Sequence, residues 1–310
     1  MSKIQDLREV FDPPDEIIQA GLNGKLVLFI GSGISMLLEL PSWDNLADKA
    51  FDELREMKCL NYSEIEQLKN LDPKKKLSIA RIIAKECEVK LNFKKYLSGK
   101  NEGDSIYKAI NDIGCPCVTT NYDELLAPRF IETDNKGSTT AAPIVRIIER
   151  ERLFAKLLNE PGTVVHLHGA ISNQDTMILT TEQYLEHYNN EKVQGFLKEL
   201  FKKKTILFLG YGLEEAEILE YILRKGSVIV TNERKRFALQ AFFYSQKPLY
   251  EKLHNYYEKC FGVHLLGVIR DHENYKCIEK IVKIWASQIK TRKPPLVNDV
   301  DFMDEVLSNG

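Results

Sequence analysis

Four short apolar runs in this chain each stop at a cluster of small or polar residues, and that pattern restricts the fold more than any other feature. Residues 25–30 run into Gly31-Ser32-Gly33, and residues 115–120 into Asn121-Tyr122-Asp123. Residues 163–168 end at His168-Gly169, and residues 204–209 at Gly210-Tyr211-Gly212. Unbroken apolar runs of this length, rich in β-branched and aromatic residues, read as strands buried on both faces. Residues 237–243 and 263–269 read as two more strands. Helical patterns fall at 16–20, 43–58, 181–200, 214–224 and 275–290, with another helix between the last two strands. Residues 61–113 are charged and helix-periodic, with Leu68, Leu71, Leu77, Ile79, Ile82 and Ile83 supplying apolar stripes.

Apolar strands alternating with helices predict a parallel sheet covered on both faces. The expected class is α/β: a Rossmann-like parallel sheet with helices on both faces and a helical insertion at about 44–113, in one domain over 1–293. Ligands bind such sheets at the carboxyl ends of the strands. All four clusters should therefore face one crevice, with His166 and His168 on the same face of their strand. Pro294-Pro295 stops the last helix, and the segment from Thr291 onward, acidic over 294–310, is expected to lie outside the core. Phe302, Met303, Val306 and Leu307 there could form one apolar helix face.

The 310 residues are 44% hydrophobic and 28% charged, with 43 basic and 45 acidic side chains and a net charge of −2. That excludes disorder and gives no global reason to bind nucleic acid or an anionic membrane. No window approaches the run of about 18 apolar residues that a membrane span needs. The first residues carry no apolar signal core, and the six cysteines form no CxxC pair, so a cytoplasmic protein with reduced thiols is expected. Cys115-Pro116-Cys117 can be read as half a metal site or as core, and His166-Leu167-His168 as a ligand pair lacking partners.

Gly31-Ser32-Gly33-Ile34-Ser35 lacks the third glycine of GxGxxG and the GK[ST] of a P-loop, which excludes Walker-type ATP binding. A Gly-x-Gly turn after a strand still suits the approach of a pyrophosphate, and equally suits a plain tight turn. Asn121 and Asp123 fit an Asx-turn. Placed in the crevice, an Asn amide can bind ribose hydroxyls or a water, and a nearby imidazole can serve as general base.

In this order the motifs resemble those of the sirtuin superfamily. Residues 29–35 look like its Gly-Ala-Gly-x-Ser NAD loop, and residues 120–123 like its Thr-Gln-Asn-Ile-Asp motif. Leu167-His168-Gly169 resembles the catalytic His-Gly, and Gly210-Tyr211-Gly212 stands where Gly-Thr-Ser is found. The resemblance spans about 26–269. No cysteine lies between Cys117 and Cys260, so the zinc ribbon of sirtuins has no counterpart and no structural zinc is expected. The Pro-Asp-Phe-Arg segment is replaced by Leu40-Pro41-Ser42-Trp43. These variants are similar to the zinc-less, sirtuin-like proteins of bacterial antiphage defence, which hydrolyse NAD+.

The resemblance implies that NAD+ is a substrate and that Asn121 and His168 are catalytic. Gly31, Ser32, Gly33, Ser35, Asp123, Gly210, Tyr211 and Gly212 would bind the dinucleotide, and no residue would bind metal. It also implies a homo-oligomer and a HerA-type ATPase partner. An NAD-dependent protein deacylase and a non-catalytic NAD or ADP-ribose sensor are the competing readings.

Overall fold

The computed structural model describes residues 6–98, 105–133, 139–213 and 235–294. Helix α1 (Asp15–Leu22) leads into strand β1 (Leu26–Ile30), which ends at Gly31 before the short α2 (Ser32–Met36). Four helices follow: α3 (Trp43–Glu56), α4 (Tyr62–Leu68), α5 (Pro73–Glu86) and α6 (Lys94–Leu97). Their starts are set by side chains that accept from otherwise unpaired amides. Ser42 accepts from Asn45 N, Asn61 and Glu64 form a capping box, and Asp72 accepts from Lys75 N ahead of Pro73.

Helix α7 (Ile106–Ile113) returns the chain to β2 (Cys117–Thr119). A hairpin of β3 (Ile131–Thr133) and β4 (Thr139–Ala141) precedes β5 (Val145–Ile147) and β6 (Thr163–His166). Next come α8 (Thr181–Asn189), α9 (Glu191–Lys203) and β7 (Thr205–Leu209). After residues 214–234, where the expected helix at 214–224 lies outside the described residues, come β8 (Arg236–Phe242), α10 (Lys247–Phe261), β9 (His264–Ile269) and α11 (Lys276–Gln288).

The seven described strands of the main sheet are ordered β5-β6-β2-β1-β7-β8-β9, and every neighbouring pair is parallel. Leaving the edge strand β5 aside, this is the order of a doubly wound dinucleotide-binding sheet, with its switch point between β1 and β7. One face carries α8, α9 and α10: Val27, Phe29, Val118 and Phe208 pack against Phe196, Leu200, Tyr188 and Tyr250. The other carries α1, α7 and α11: Leu28, Ile30 and Leu207 pack with Ile17, Ile110, Ile281 and Trp285. Helices α3, α5 and α6 bury a separate core through Phe51, Leu54, Leu77 and Leu97. Helix α7, at the end of the stretch read as an insertion, belongs to the sheet's own core.

Three sequence expectations change. Residues 181–200 hold two helices, because Asn190 leaves helical geometry and caps the second by accepting from Lys192 N. Strand β5 was not anticipated. The segment from Thr291 does not leave the core at once: Thr291 Oγ1 donates to Ile113 O at 2.6 Å, and Arg292 N to Gly21 O at 3.0 Å. Residues 295–310, including the proposed apolar face, lie outside the described residues.

Candidate active site

The loops after β1, β2 and β7 meet at the switch point, as the sequence pattern requires. Thr119, the last residue of β2, donates to Ile30 O at 2.8 Å and accepts from Asn121 N at 3.0 Å, so the end of β2 is tied to the end of β1. Asn121 then aims its amide across the strand ends. Its Nδ2 donates to Gly31 O at 3.0 Å and to Ser35 Oγ at 2.8 Å. Ser35 Oγ donates to Asp123 Oδ2 at 2.7 Å. Tyr107 of α7 donates to Asp123 Oδ1 at 3.1 Å, and its hydroxyl is 3.0 Å from Ser35 Oγ. Leu125 N closes an Asx-turn on Asp123 Oδ1 at 3.3 Å. Asn121, Ser35, Asp123 and Tyr107 are all buried.

Burial pushes the Asp123 carboxyl up from its ordinary value, while the Ser35, Leu125 and Tyr107 donors pull the other way. Burial and then the Asp123 charge push the Tyr107 phenol well up, so it remains a proton donor. Ser32, Ser35, Asn121 and Asp123 line one cavity together with Leu40, Pro41, Ser42, Trp43, Leu46, Leu97 and Tyr122. Its free volume is about 20 Å³, room for about one water and far less than a dinucleotide needs.

The two glycine loops touch. Gly31 N donates to Leu209 O and Gly33 N to Gly210 O, both at 2.9 Å. Gly210 has φ 61°, and a Cβ there would lie 2.5 Å from Ile34 N. A Cβ at Gly31 or Gly33 would lie 2.5 or 2.8 Å from Gly210 O. Here the glycines let two backbones meet, and the amides expected to face a pyrophosphate bond to the protein itself. Tyr211 is buried against Phe29 and Phe208, with ring centroids at 5.1 and 5.6 Å. Gly212 is exposed.

His168 departs from expectation in its placement. Strand β6 stops at His166, so the alternation that would put both rings on one face ends there. His166 turns toward Arg146 and the Asn121 carbonyl. His168 is fully buried among α8 side chains, with Nε2 2.7 Å from Tyr188 Oη and Nδ1 3.2 Å from Tyr184 Oη. Burial, then His187, holds it well below the usual imidazole range. Aromatic contacts link it to the cavity: His168 to Tyr184 at 4.9 Å, Tyr184 to Trp43 at 5.8 Å, and Trp43 to Tyr122 at 5.9 Å.

Sequence reasoning missed Tyr107, Arg146 and the α8 ring cluster. Tyr184, His187 and Tyr188 stand at i, i+3 and i+4, a helix-face spacing that was available as a signal. Cys115 and Cys117 are buried, and burial pushes the Cys115 thiol up to about 12, as befits core residues. Among the described residues, one group combines side chains with metal-ligand chemistry: His254, Glu258 and His264. It lies at the amino end of β9, opposite the loops, where His264 Nδ1 meets Glu258 Oε2 at 2.9 Å and joins α10 to the strand.

Residues 117–266 match the SIR2-like domain family. The chain is 27% identical over 208 residues to Defense-associated sirtuin 2 of Bacillus subtilis, covering 66% of this chain and 19% of that protein. It is 26% identical over 220 residues to the NAD(+) hydrolase ThsA of Cytobacillus dafuensis, covering 69% of this chain and 40% of that protein. It thus spans well under half the length of either relative. The matched segment runs from β2 to β9 and contains Asn121, Asp123, His168 and Gly210. Residues 117–266 of this chain are thus similar to a SIR2-like domain, and of the motif residues within them Asn121, Asp123 and Gly210 meet at the switch point of the sheet, while His168 packs against α8.

Proposed function

We propose that the chain is an NAD+ hydrolase that cleaves the bond between nicotinamide and ribose and depletes NAD+ in antiphage defence. The observation that carries this reading is the convergence of Asn121, Ser35 and Asp123 on one cavity at the strand ends. The names of the two relatives support it. Nicotinamide leaves as a neutral molecule, so the site has to stabilise positive charge on the ribose and orient one water. Asn121 offers an amide to the ribose hydroxyls or the water. Asp123 supplies the nearby carboxylate. Ser35 and the Gly31–Gly33 turn hold the diphosphate once that turn separates from Gly210. His168 is the base, and it acts when its ring turns from Tyr188 toward the cavity. We place the protein in the cytoplasm as a homo-oligomer with a HerA-type ATPase partner; no described helix is long and apolar enough to cross a membrane.

The enclosure of His168 by tyrosines favours a second reading, a nucleotide sensor without turnover. Purified chain incubated with NAD+, alone and with a HerA-type ATPase, decides between them. Hydrolysis yields nicotinamide and ADP-ribose without peptide, and Asn121→Ala lowers the rate at least about 10²-fold. A deacylase would need an acyl-lysine peptide. Binding of NAD+ without products would leave the sensor.

A further inference from the structure

Beneath the Asn121 loop, two side chains absent from the proposed chemistry determine how the loop is held. Arg146, on edge strand β5, places Nη1 2.8 Å from Nε2 of His166 on β6. Its Nη2 donates to Leu126 O at 2.9 Å and to Glu124 O at 3.3 Å. A guanidinium has donors and no acceptor, so Nε2 of His166 accepts and carries no proton. The single proton of the neutral ring is then on Nδ1, which lies 3.0 Å from the Asn121 carbonyl and donates to it. Burial and the Arg146 charge push this imidazole down to about 4, which keeps the ring neutral, in one tautomer, around pH 7.

We propose that His166 is a positioning residue for Asn121, with Arg146 setting its tautomer. Asn121 is held at its amide by Thr119, at its side chain by Gly31 and Ser35, and at its carbonyl by His166. Without the last contact a buried carbonyl loses its donor and the 121–122 peptide can rotate, which swings the side-chain amide off line. This rests on the reading of Asn121 as the residue that touches NAD+.

Two amide substitutions divide the functions of the ring. His166→Asn sets a donor near the Nδ1 position and gives up Arg146. His166→Gln reaches Arg146 and gives up the donor to Asn121. The expected result is a kcat for NAD+ cleavage reduced at least about 10-fold in His166→Gln and His166→Ala, with His166→Asn nearer wild type and KM changed little, because misplacement by about 1 Å costs up to about 10²-fold. Nitrogen-15 NMR of the wild-type chain at pH 7, with the His166 ring assigned by its loss in His166→Asn, should report the Nδ1–H tautomer. Amide exchange over residues 120–126 should be faster in His166→Gln than in His166→Asn. If wild-type protein cleaves no NAD+, the functional reading fails, while the NMR and exchange results still decide the positioning role. A charged ring or an Nε2–H tautomer overturns the proposal. So does a His166→Gln variant that matches His166→Asn in exchange.

Discussion

His187 gives a stability test whose size can be worked out beforehand. Its ring is buried, 5.9 Å from His168 and 5.1 Å from Tyr188 between centroids, and neither nitrogen has a hydrogen-bond partner among the described residues. Burial, then Arg150, pushes it down to about 4, against a weaker opposing pull from Glu186. The folded value is below the unfolded value near 6.5, so the unfolded chain binds the proton first. Stability from the neutral ring is therefore present above about pH 6.5 and is lost as pH falls toward 4. Between pH 7.5 and pH 5 the loss is roughly 2 kcal/mol for this ring. His166 is also pushed down to about 4 and contributes about as much again, with His168 shifted the same way. Asp123, shifted up, acts in the opposite sense at lower pH. A domain stability of about 5–15 kcal/mol makes that sum visible. His187→Leu removes one titrating ring and two unpartnered nitrogens. It should match or exceed wild-type stability at pH 7.5 and flatten the pH 7.5-to-5 slope by about 2 kcal/mol in urea denaturation. An unchanged slope in His187→Leu would refute the argument, because it would mean that the ring meets water or pairs with Glu186 and titrates normally.

Other outcomes follow from the same geometry. Tyr107→Phe removes one donor from the buried Asp123 and should cost about 1–2 kcal/mol in chemical denaturation, with the fold unchanged by circular dichroism. Gly169→Ala places a Cβ 2.2 Å from Thr176 O at φ 77°; a loss of at least about 2 kcal/mol is expected, seen as a lower melting temperature. Gly210→Ala drives the two glycine loops apart, and should speed amide exchange at Gly33 and Ile34 as well as lower stability. His168→Ala should lower nicotinamide release at least about 10²-fold while far-ultraviolet circular dichroism is retained, and full activity in that variant would remove His168 from the mechanism.

The other six strands of the main sheet were legible because a strand buried on both faces writes an uninterrupted apolar run. Strand β5 wrote none. Val145-Arg146-Ile147 is three residues long with a charge at its centre. Arg146 is tolerated there because an edge strand can turn a guanidinium onto His166 and the carbonyls of the neighbouring loop. The split after Asn189 was hidden because Asn190 both ends one helix and caps the next. Asn121, Asp123 and Ser35 could be placed in one crevice from topology alone, since parallel strands present their carboxyl ends together. Tyr107 could not. It sits in the apolar stripe of α7 with Ile106 and Ile110, and nothing in that spacing tells whether a phenol ends in the core or on a carboxylate. His168 was expected on the same face as His166 and lies instead among the α8 side chains. Period-2 alternation holds only while the strand lasts, and here it lasts to His166.

The narrow cavity and the glycine contacts are two sides of one arrangement. Both amide hydrogen bonds of Asn121 are made to groups of the β1 loop, and the Gly33 amide is engaged by Gly210. A ligand that takes up these donors therefore has to displace existing hydrogen bonds. It exchanges with bonds the protein already makes to itself, each of which contributes net stability of only about 1 kcal/mol. That scale lies well within the binding free energy of a micromolar ligand, about 8 kcal/mol, so separating the Gly33–Gly210 and Asn121–Gly31 contacts is within reach of nucleotide binding. The same bonds keep Asn121, Ser35 and Asp123 in fixed orientation before anything binds. The larger demand falls on space, because about 20 Å³ must widen past Trp43 and Leu40. Trp43 touches both Tyr122 and Tyr184, so any movement that admits a ribose beside Asn121 also disturbs the ring against which His168 is packed.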